Sequence, residues 1–178
     1  MLTVFAGGQV GQWRVEGIEP VTGPSLPTVS RLAISDGGYL GDSGAAWALR
    51  GLTGNARYTQ RSEQEALAAR QAGLGRPEAT RAALIPITKS EAWWALAQDE
   101  RRKLFEETSR HIAIGLEYLP AIARRLYHGR DLGEAFHFLT WFEYAPQDAP
   151  AFEDLVSRLR ATPEWDYVER EIDIRLAR

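Results

Sequence analysis

The sequence predicts an α+β fold in which a glycine-rich, strand-rich first part precedes a β-α-β-β-α-β unit. Eleven of the sixteen glycines lie in the first 54 residues, between short apolar runs that suit strands joined by tight turns. From residue 82 onward, runs with strand periodicity alternate with runs of helical periodicity. The 44% apolar and 25% charged fractions are typical of a globular chain of 178 residues.

The first part contains four predicted strands and one predicted helix. The strands are assigned to Leu2–Ala6, Gln12–Ile18, Val29–Ser35 and Leu52–Gln60. The run Ser62–Gln71 is strongly helix-forming, with Ser62 as its N-cap and Gly73 as its stop. Short strands separated by glycine turns favour an antiparallel sheet.

The second part begins with a strand at Ala82–Thr88, whose Pro86 predicts an edge position or a bulge. A helical stretch opens at Ser90 and runs past His111, with a break near Asp99. Two strands, a helix and a last strand follow, at Ala121–His128, Ala135–Tyr144, Pro150–Arg160 and Tyr167–Leu176. This order is that of the split ferredoxin-like unit.

Composition excludes several classes of site and partner. A net charge of −3 argues against a general binder of nucleic acid or anionic membranes. The chain has no cysteine and only its first methionine, which excludes disulfides, thiolate catalysis, cysteine-ligated metals and thioether ligation. Nitrogen ligation of a transition metal or haem iron would therefore fall to His111, His128 or His137.

No segment predicts export or membrane insertion. The first residues lack a basic region followed by an apolar run and a cleavage site. The longest weakly charged stretch, from Ile112 to Ala123, is shorter than the ~20 apolar residues that span a bilayer. We therefore expect a cytoplasmic protein.

Two residues stand out on chemical grounds, although each has an ordinary explanation. His111 lies on an apolar helical stripe with Phe105 and Ile112, where a histidine is more often packed than ligating. Arg124 shares a strand face with apolar residues, and a cation there is costly without an anionic partner if that face is internal. With 19 arginines in the chain, the ordinary explanation is a solvated surface residue. We interpret His128 and His137 as structural or surface residues, since their spacing matches no three-histidine zinc pattern.

Three motifs in order carry a family resemblance: IPITKS at 85–90, SRHIA at 109–113 and LPAIARR at 119–125. Together with FHFLTWFEYAP and WDYVEREIDIRLAR they make the chain resemble the chlorite dismutase family, in its short, dimeric, cytoplasmic lineage. The resemblance implies two ferredoxin-like halves in a dimeric α+β barrel. The N-terminal half, residues 1–78, would be truncated and strand-rich, and residues 79–178 would form the haem-binding half.

The resemblance also implies a haem b site with a proximal shell. His111 matches the axial ligand of the haem iron. Lys89 and Glu164 match its hydrogen-bonding partners, with the glutamate accepting from the far imidazole nitrogen. Trp94 is the first match to tryptophans that line the haem pocket, and Trp93 is the second. A carboxylate on the second nitrogen fixes the tautomer and makes the ligand more basic.

On the distal side, Arg124 matches the catalytic arginine and Gln71 a glutamine that hydrogen-bonds it. The implied reaction converts chlorite, or another small anion of its kind, to chloride and dioxygen by oxygen-atom transfer to ferric haem and O–O bond rebound. A fixed arginine in an apolar cavity would attract and retain the anion.

Three rival functions remain at this point. Coproheme decarboxylases resemble the chain but carry Tyr-Pro-Met-Ser-Lys where it has Ile85-Pro86-Ile87-Thr88-Lys89, so their radical-forming tyrosine is isoleucine here. A non-catalytic haem-binding or haem-sensing protein on the same scaffold is the second. The third is a haem-free ferredoxin-like dimer that binds a small organic molecule.

Overall fold

Across the residues that the structure describes, 1–37, 44–54 and 57–178, eight antiparallel strands close into one barrel in this computed structural model. The strands are β1 (Leu2–Gly8), β2 (Trp13–Thr22), β3 (Arg31–Asp36), β4 (Trp47–Leu52), β5 (Arg81–Lys89), β6 (Ala123–His128), β7 (Phe138–Tyr144) and β8 (Val168–Ala177). Their order around the barrel is β1-β3-β2-β8-β5-β7-β6-β4. The mixed helix and strand class predicted from the sequence is confirmed.

Helices lie almost entirely in the second part of the chain. They are α1 (Arg61–Arg70), α2 (Glu91–Ala95), α3 (Gln98–Arg102), α4 (His111–Glu117) and α5 (Ala149–Arg160). A π-helical turn occupies Lys103–Thr108, and 3₁₀ turns occupy Arg130–Leu132, Pro146–Asp148 and Pro163–Tyr167. Within the described ranges, no helix combines the length and the apolar character needed to cross a bilayer.

The first four strands and the last four follow the same spatial order. β1 to β4 lie in the order β4-β1-β3-β2, and β5 to β8 lie in the order β8-β5-β7-β6. The two sets meet along a long ladder between β2 and β8 and at a short contact between β4 and β6. Each seam therefore joins a strand of the first part to a strand of the second.

Alternation along the strands divides the apolar residues between two cores. In β5, Ala82 and Leu84 point into the barrel, where they meet Trp141 of β7. Ala83 and Ile85 point outward, against the helical layer that includes α5. Because both faces of β5 are buried, its sequence is a nearly continuous apolar run. The candidate site lies on this outer face.

Several predicted boundaries are wrong. The fourth strand is Trp47–Leu52, not Leu52–Gln60, of which residues 55 and 56 lie outside the described residues. Gln60, not Ser62, is the N-cap of α1, which ends at Arg70 before Gly73. Glu63 explains the shift, because its carboxylate accepts from the Gln60 backbone N–H and so caps the helix two residues earlier.

Pro86 does not lie on an edge strand, because β5 pairs with β7 on one side and β8 on the other. Pairing with β8 runs from Arg81 to Leu84 and resumes at Ile87, so the missing N–H of the proline falls in the interruption. The bulge follows at Thr88–Lys89. A closed barrel thus tolerates this proline between two neighbouring strands.

Candidate active site

A cavity of about 450 Å³ lies between the outer face of β5, β6 and β7 and the helical layer. This volume falls in the range of small-molecule and cofactor sites. Its walls are mainly apolar, and they include Ile85, Ile87, Ile112, Leu126, Phe138 and Phe142. Six of the seven predicted site residues also line it, namely Gln71, Lys89, Trp93, His111, Arg124 and Glu164. The fold therefore brings together distant residues, such as Lys89 and Glu164, which are 75 positions apart.

Glu164 joins His111 to Lys89 behind the cavity. One carboxylate oxygen, Oε2, lies 2.7 Å from His111 Nδ1, and the other, Oε1, accepts from Lys89 Nζ at 2.9 Å. Lys89 Nζ also donates to the Glu164 backbone carbonyl at 3.2 Å. Lys89 and Glu164 are both 4% exposed, so this is a buried ion pair.

The ionisation of Glu164 decides which nitrogen of the neutral imidazole carries the proton. Burial alone would raise the pKa of this carboxyl, but the charges of His111 and Lys89 and the hydrogen bonds from them lower it to about 2. An ionised carboxylate only accepts, so His111 Nδ1 carries the proton and donates to it. In the neutral ring that a metal requires, Nε2 is then the nitrogen without a proton.

A break in the helical stretch presents His111. Arg110 has a φ of 54°, in the left-handed region, and α4 begins at the next residue. The Glu106 carboxylate caps the new helix by accepting from the backbone N–H groups of Ile112 (2.6 Å) and Ala113 (3.2 Å). Phe105 stacks on the His111 ring at 4.5 Å. The predicted continuous stripe is thus interrupted, although Phe105, His111 and Ile112 still line one cavity.

Arg124 reaches into the cavity from β6 on the same face as Leu126. Among the described residues, no carboxylate forms an ion pair with its guanidinium. Burial lowers the pKa of Arg124 to about 10, which still leaves it charged at neutral pH. Its guanidinium lies against the backbone of Gly115 in α4, where any Cβ would overlap it. The cavity therefore contains an uncompensated cation, which is a favourable partner for an anion.

Gln71 contacts Arg124, but through the main chain. Its side-chain amide donates to the Arg124 carbonyl at 2.7 Å and leaves the guanidinium untouched. Gln71 is exposed at the C-cap of α1 and also lines the cavity. The predicted contact between the two residues is present, and it fixes the strand backbone from which the arginine extends.

The structure reverses the order in which the resemblance matched the two tryptophans to the pocket, because Trp93 and not Trp94 is among the residues that line the cavity. Trp93 lines the cavity and is 1% exposed, and its indole Nε1 has no hydrogen-bond partner among the described residues. Trp94 instead donates from Nε1 to His137 Nδ1 at 3.1 Å, with the Arg130 guanidinium 4.0 Å from its ring. His137 also accepts from the Lys89 backbone N–H, in agreement with a structural role.

The interpretation of His128 as a structural or surface residue missed its position in the site. Its side chain is buried and lines the cavity, and its Nδ1 has no partner among the described residues. Burial, and to a lesser extent Arg57, lowers the pKa of His128. The alternation of β6 offered the signal, since it places His128 on the same face as Arg124.

Comparison with known proteins decides the family. The chlorite dismutase family model matches residues 38–178. The chain belongs to the chlorite dismutase family. The dimeric chlorite dismutase of Nitrobacter winogradskyi has a similar structure, with 61% sequence identity, 99% coverage of both chains and a TM-score of 0.93.

More distant members of the chlorite dismutase family match in part. The chlorite dismutase of Candidatus Nitrospira defluvii, in complex with imidazole, is 25% identical, with 83% of this chain and 56% of that chain covered and a TM-score of 0.59. Chlorite dismutase from Ideonella dechloratans is 34% identical over 84 residues. That match covers 47% of this chain and only 27% of the Ideonella protein.

Proposed function

We propose that this protein is a haem-dependent chlorite dismutase that converts chlorite to chloride and dioxygen. The observation that carries the proposal is one apolar cavity lined by two polar features. On α4, His111 is held by an ionised carboxylate, and on β6 the cation Arg124 lacks a counter-ion among the described residues. Membership of the family, and 61% identity to the Nitrobacter protein, support the same activity.

The residues of the cavity fit a haem, which we take to be haem b. His111 Nε2 is free to bind iron because Nδ1 is engaged by Glu164. The Trp93 indole is a buried donor without a partner in the described part of the chain, and it suits a polar group at the edge of a bound molecule. The walls between them are apolar, as a porphyrin face requires. A haem held by His111 would supply the oxygen-atom-transfer chemistry that converts chlorite to chloride and dioxygen.

Each polar residue then has a distinct task. Glu164, charged and held by Lys89, keeps the His111 ring in one orientation and makes it a more basic ligand. Arg124 binds chlorite and retains the chlorine oxyanion until the O–O bond forms. It does so by charge and hydrogen bonds, because a guanidinium with a pKa of about 10 does not act as an acid near neutral pH. Gln71 holds the backbone of Arg124.

The same proposal includes the assembly. Two ferredoxin-like halves, residues 1–78 and 79–178, are supported by the shared strand order of β1–β4 and β5–β8. A homodimer is supported by the dimeric state named for the Nitrobacter relative. A cytoplasmic location stays a prediction from the sequence. Decarboxylation of coproheme is not favoured, because the cavity wall has Ile85 where those enzymes carry tyrosine.

Loading the purified protein with haem and adding chlorite at an oxygen electrode tests the activity. We expect a Soret band and oxygen release from the wild-type protein, and loss or severe weakening of haem binding in His111→Ala. Arg124→Ala should keep haem, release hypochlorite that a trap can detect, and bleach faster. A Soret band in His111→Ala identical to wild type would contradict the ligand assignment. Unchanged turnover in Arg124→Ala without trapped hypochlorite would contradict the retention role.

A further inference from the structure

Trp165 connects the proximal shell to a second buried ion-pair network. It follows Glu164 in the 3₁₀ turn Pro163–Tyr167, and its indole Nε1 donates to Glu171 Oε2 at 2.8 Å. Glu171 is fully buried, and its Oε1 accepts from Arg160 Nε at 2.8 Å. Arg160 also donates to Asp173 at 2.9 Å. The indole is thus anchored to a carboxylate that is itself held in place.

The Trp165 ring also contacts both partners of Glu164. The Trp165 and His111 rings are inclined by 23°, with their centroids 6.1 Å apart. Phe105 stacks on the same His111 ring, with centroids 4.5 Å apart. Lys89 Nζ lies 5.3 Å from the Trp165 ring and 4.6 Å from the Trp93 ring. One anchored indole therefore restricts the imidazole and the ammonium together.

The turn that carries Glu164 is attached to the rest of the protein by several hydrogen bonds. The Glu164 backbone N–H donates to the buried Ser109 hydroxyl at 2.9 Å, and the Glu164 carbonyl accepts from Lys89 Nζ at 3.2 Å. The Trp165 indole adds an attachment at the residue next to Glu164, because it is hydrogen-bonded to the buried Glu171.

We propose that Trp165 and Glu171 are positioning residues that aim the Glu164 carboxylate at His111. This inference rests on the proposed function, since it concerns the haem ligand of that site. Loss of the indole N–H removes one attachment of the turn and leaves Glu171 Oε2 unpaired. The Glu164–His111 hydrogen bond then lengthens, and the ligand becomes less basic.

Trp165→Phe in the haem-loaded protein tests this, because it removes the N–H donor and keeps a smaller aromatic ring at the same position. The readouts are the iron–histidine stretching frequency and the ferric/ferrous reduction potential, which a purely structural residue would not move. We expect a lower stretching frequency and a higher potential, both in the direction of Glu164→Gln and smaller than its shifts. Glu171→Gln should shift both readouts the same way, and it tests the proposal if Trp165→Phe fails to fold.

Trp47→Phe is the matched control, because its indole N–H bonds the Pro27 carbonyl at 2.9 Å inside the barrel, and we expect no shift in either readout. Wild-type values in Trp165→Phe and Glu171→Gln, with a clear shift in Glu164→Gln, would overturn the inference. If Glu164→Gln itself shifts neither readout, the proximal role in the proposed function is wrong, and with it this inference. The two failures are therefore distinguishable.

Discussion

Burial of the Arg124 guanidinium, unpaired among the described residues, lowers the stability of the folded protein. The guanidinium crosses an apolar cavity and rests on the backbone of α4 at Gly115, and burial lowers its pKa from the ordinary arginine value to about 10. A base with a lowered folded-state pKa destabilises the fold while it is charged, and this cost disappears only as the pH rises through about 10 toward the pKa of an exposed arginine. At neutral pH the cost is at most about 3 kcal/mol, since part of the side chain stays solvated.

Arg124→Met should therefore stabilise the haem-free protein. The variant replaces an unpaired cation with an apolar chain of similar length, in a cavity with apolar walls. We expect a rise of about 1–3 kcal/mol in the free energy of unfolding, measured by urea denaturation at pH 7. Arg125→Met, an exposed neighbour on the same strand, should change it by less than about 0.5 kcal/mol. Destabilisation by Arg124→Met would show that the guanidinium has a stabilising partner.

Ionised Glu164 stabilises the folded protein, and the downward direction of its pKa shift gives a pH test. Its pKa falls from an ordinary 4.5 to about 2 in the folded protein, so its contribution is complete above pH 4.5 and disappears as the pH falls toward 2. In haem-free protein, Glu164→Gln should be destabilised at pH 7 because it leaves Lys89 buried without a carboxylate. The difference in unfolding free energy from wild type should narrow between pH 4.5 and 2. A difference that is constant over this window would contradict the assignment.

Among the elements, the segment between β5 and β6 shows where local sequence stops being informative. Helical periodicity from Ser90 onward is real, yet the structure divides the run into α2, α3, a π-helical turn and α4. The division before α4 is marked locally by the Glu106 cap, and also by the Ser109 hydroxyl accepting from Glu164 N–H, a contact between residues 55 positions apart. No window of neighbouring residues contains the second of these contacts.

Strand β4 was misplaced for a related reason. In Trp47–Leu52, Arg50 and Gly51 interrupt the apolar pattern, while the later residues 57–60 look equally extended. Position 51 requires glycine because the Tyr127 side chain lies against the Gly51 Cα, where a Cβ would overlap it. That requirement comes from β6, which lies more than 70 residues away.

Helix α1 is held over the cavity by polar contacts, and this predicts local opening. None of its residues is buried, and Glu63 both caps its N-terminus at Gln60 and pairs with Arg102 at 2.6 and 2.8 Å. Glu63→Ala should lower the local stability of α1 by about 1–2 kcal/mol. We expect roughly tenfold faster amide hydrogen exchange in residues 61–70, with the exchange of β5 unchanged. Equal acceleration in β5 would mean that α1 opens only with the whole barrel.

For the molecule as a whole, the barrel makes the two parts of the chain interdependent. Phe5 of β1 is fully buried and contacts Tyr127 of β6 at 5.2 Å and Trp141 of β7 at 5.7 Å between ring centroids. The interior core thus mixes residues from before and after residue 78. Residue 78 therefore separates two sets of strands that repeat the same order but share one core. We expect neither part to fold independently.

Phe5→Ala tests this interdependence. The substitution should lower the unfolding free energy by about 3–5 kcal/mol, because it opens a cavity in the shared core. The change should occur in one transition, with coincident tryptophan fluorescence and far-ultraviolet circular dichroism curves. Two separate transitions would contradict a single cooperative barrel.

How much of the site could be predicted depends on whether a feature is visible in the local sequence or arises from contacts between distant elements. Residue type and strand alternation were enough to single out His111 and Arg124, and the family motifs added Lys89 and Glu164, whose contacts the structure contains. Trp165 and Glu171 carry no local pattern, since an indole anchored on a buried carboxylate is recognisable only once β8 packs beside the 3₁₀ turn. Contacts between distant elements therefore limit what the sequence can predict about this site.

The most direct test of the central claim is mass spectrometry of the gas released when the haem-loaded protein acts on ¹⁸O-labelled chlorite in unlabelled water. If the cavity retains the chlorine oxyanion beside Arg124 until the O–O bond forms, both atoms of each dioxygen molecule come from chlorite. The account predicts doubly labelled dioxygen, one molecule for each chloride formed. Chlorite loss without dioxygen, or dioxygen that contains oxygen from water, would contradict it.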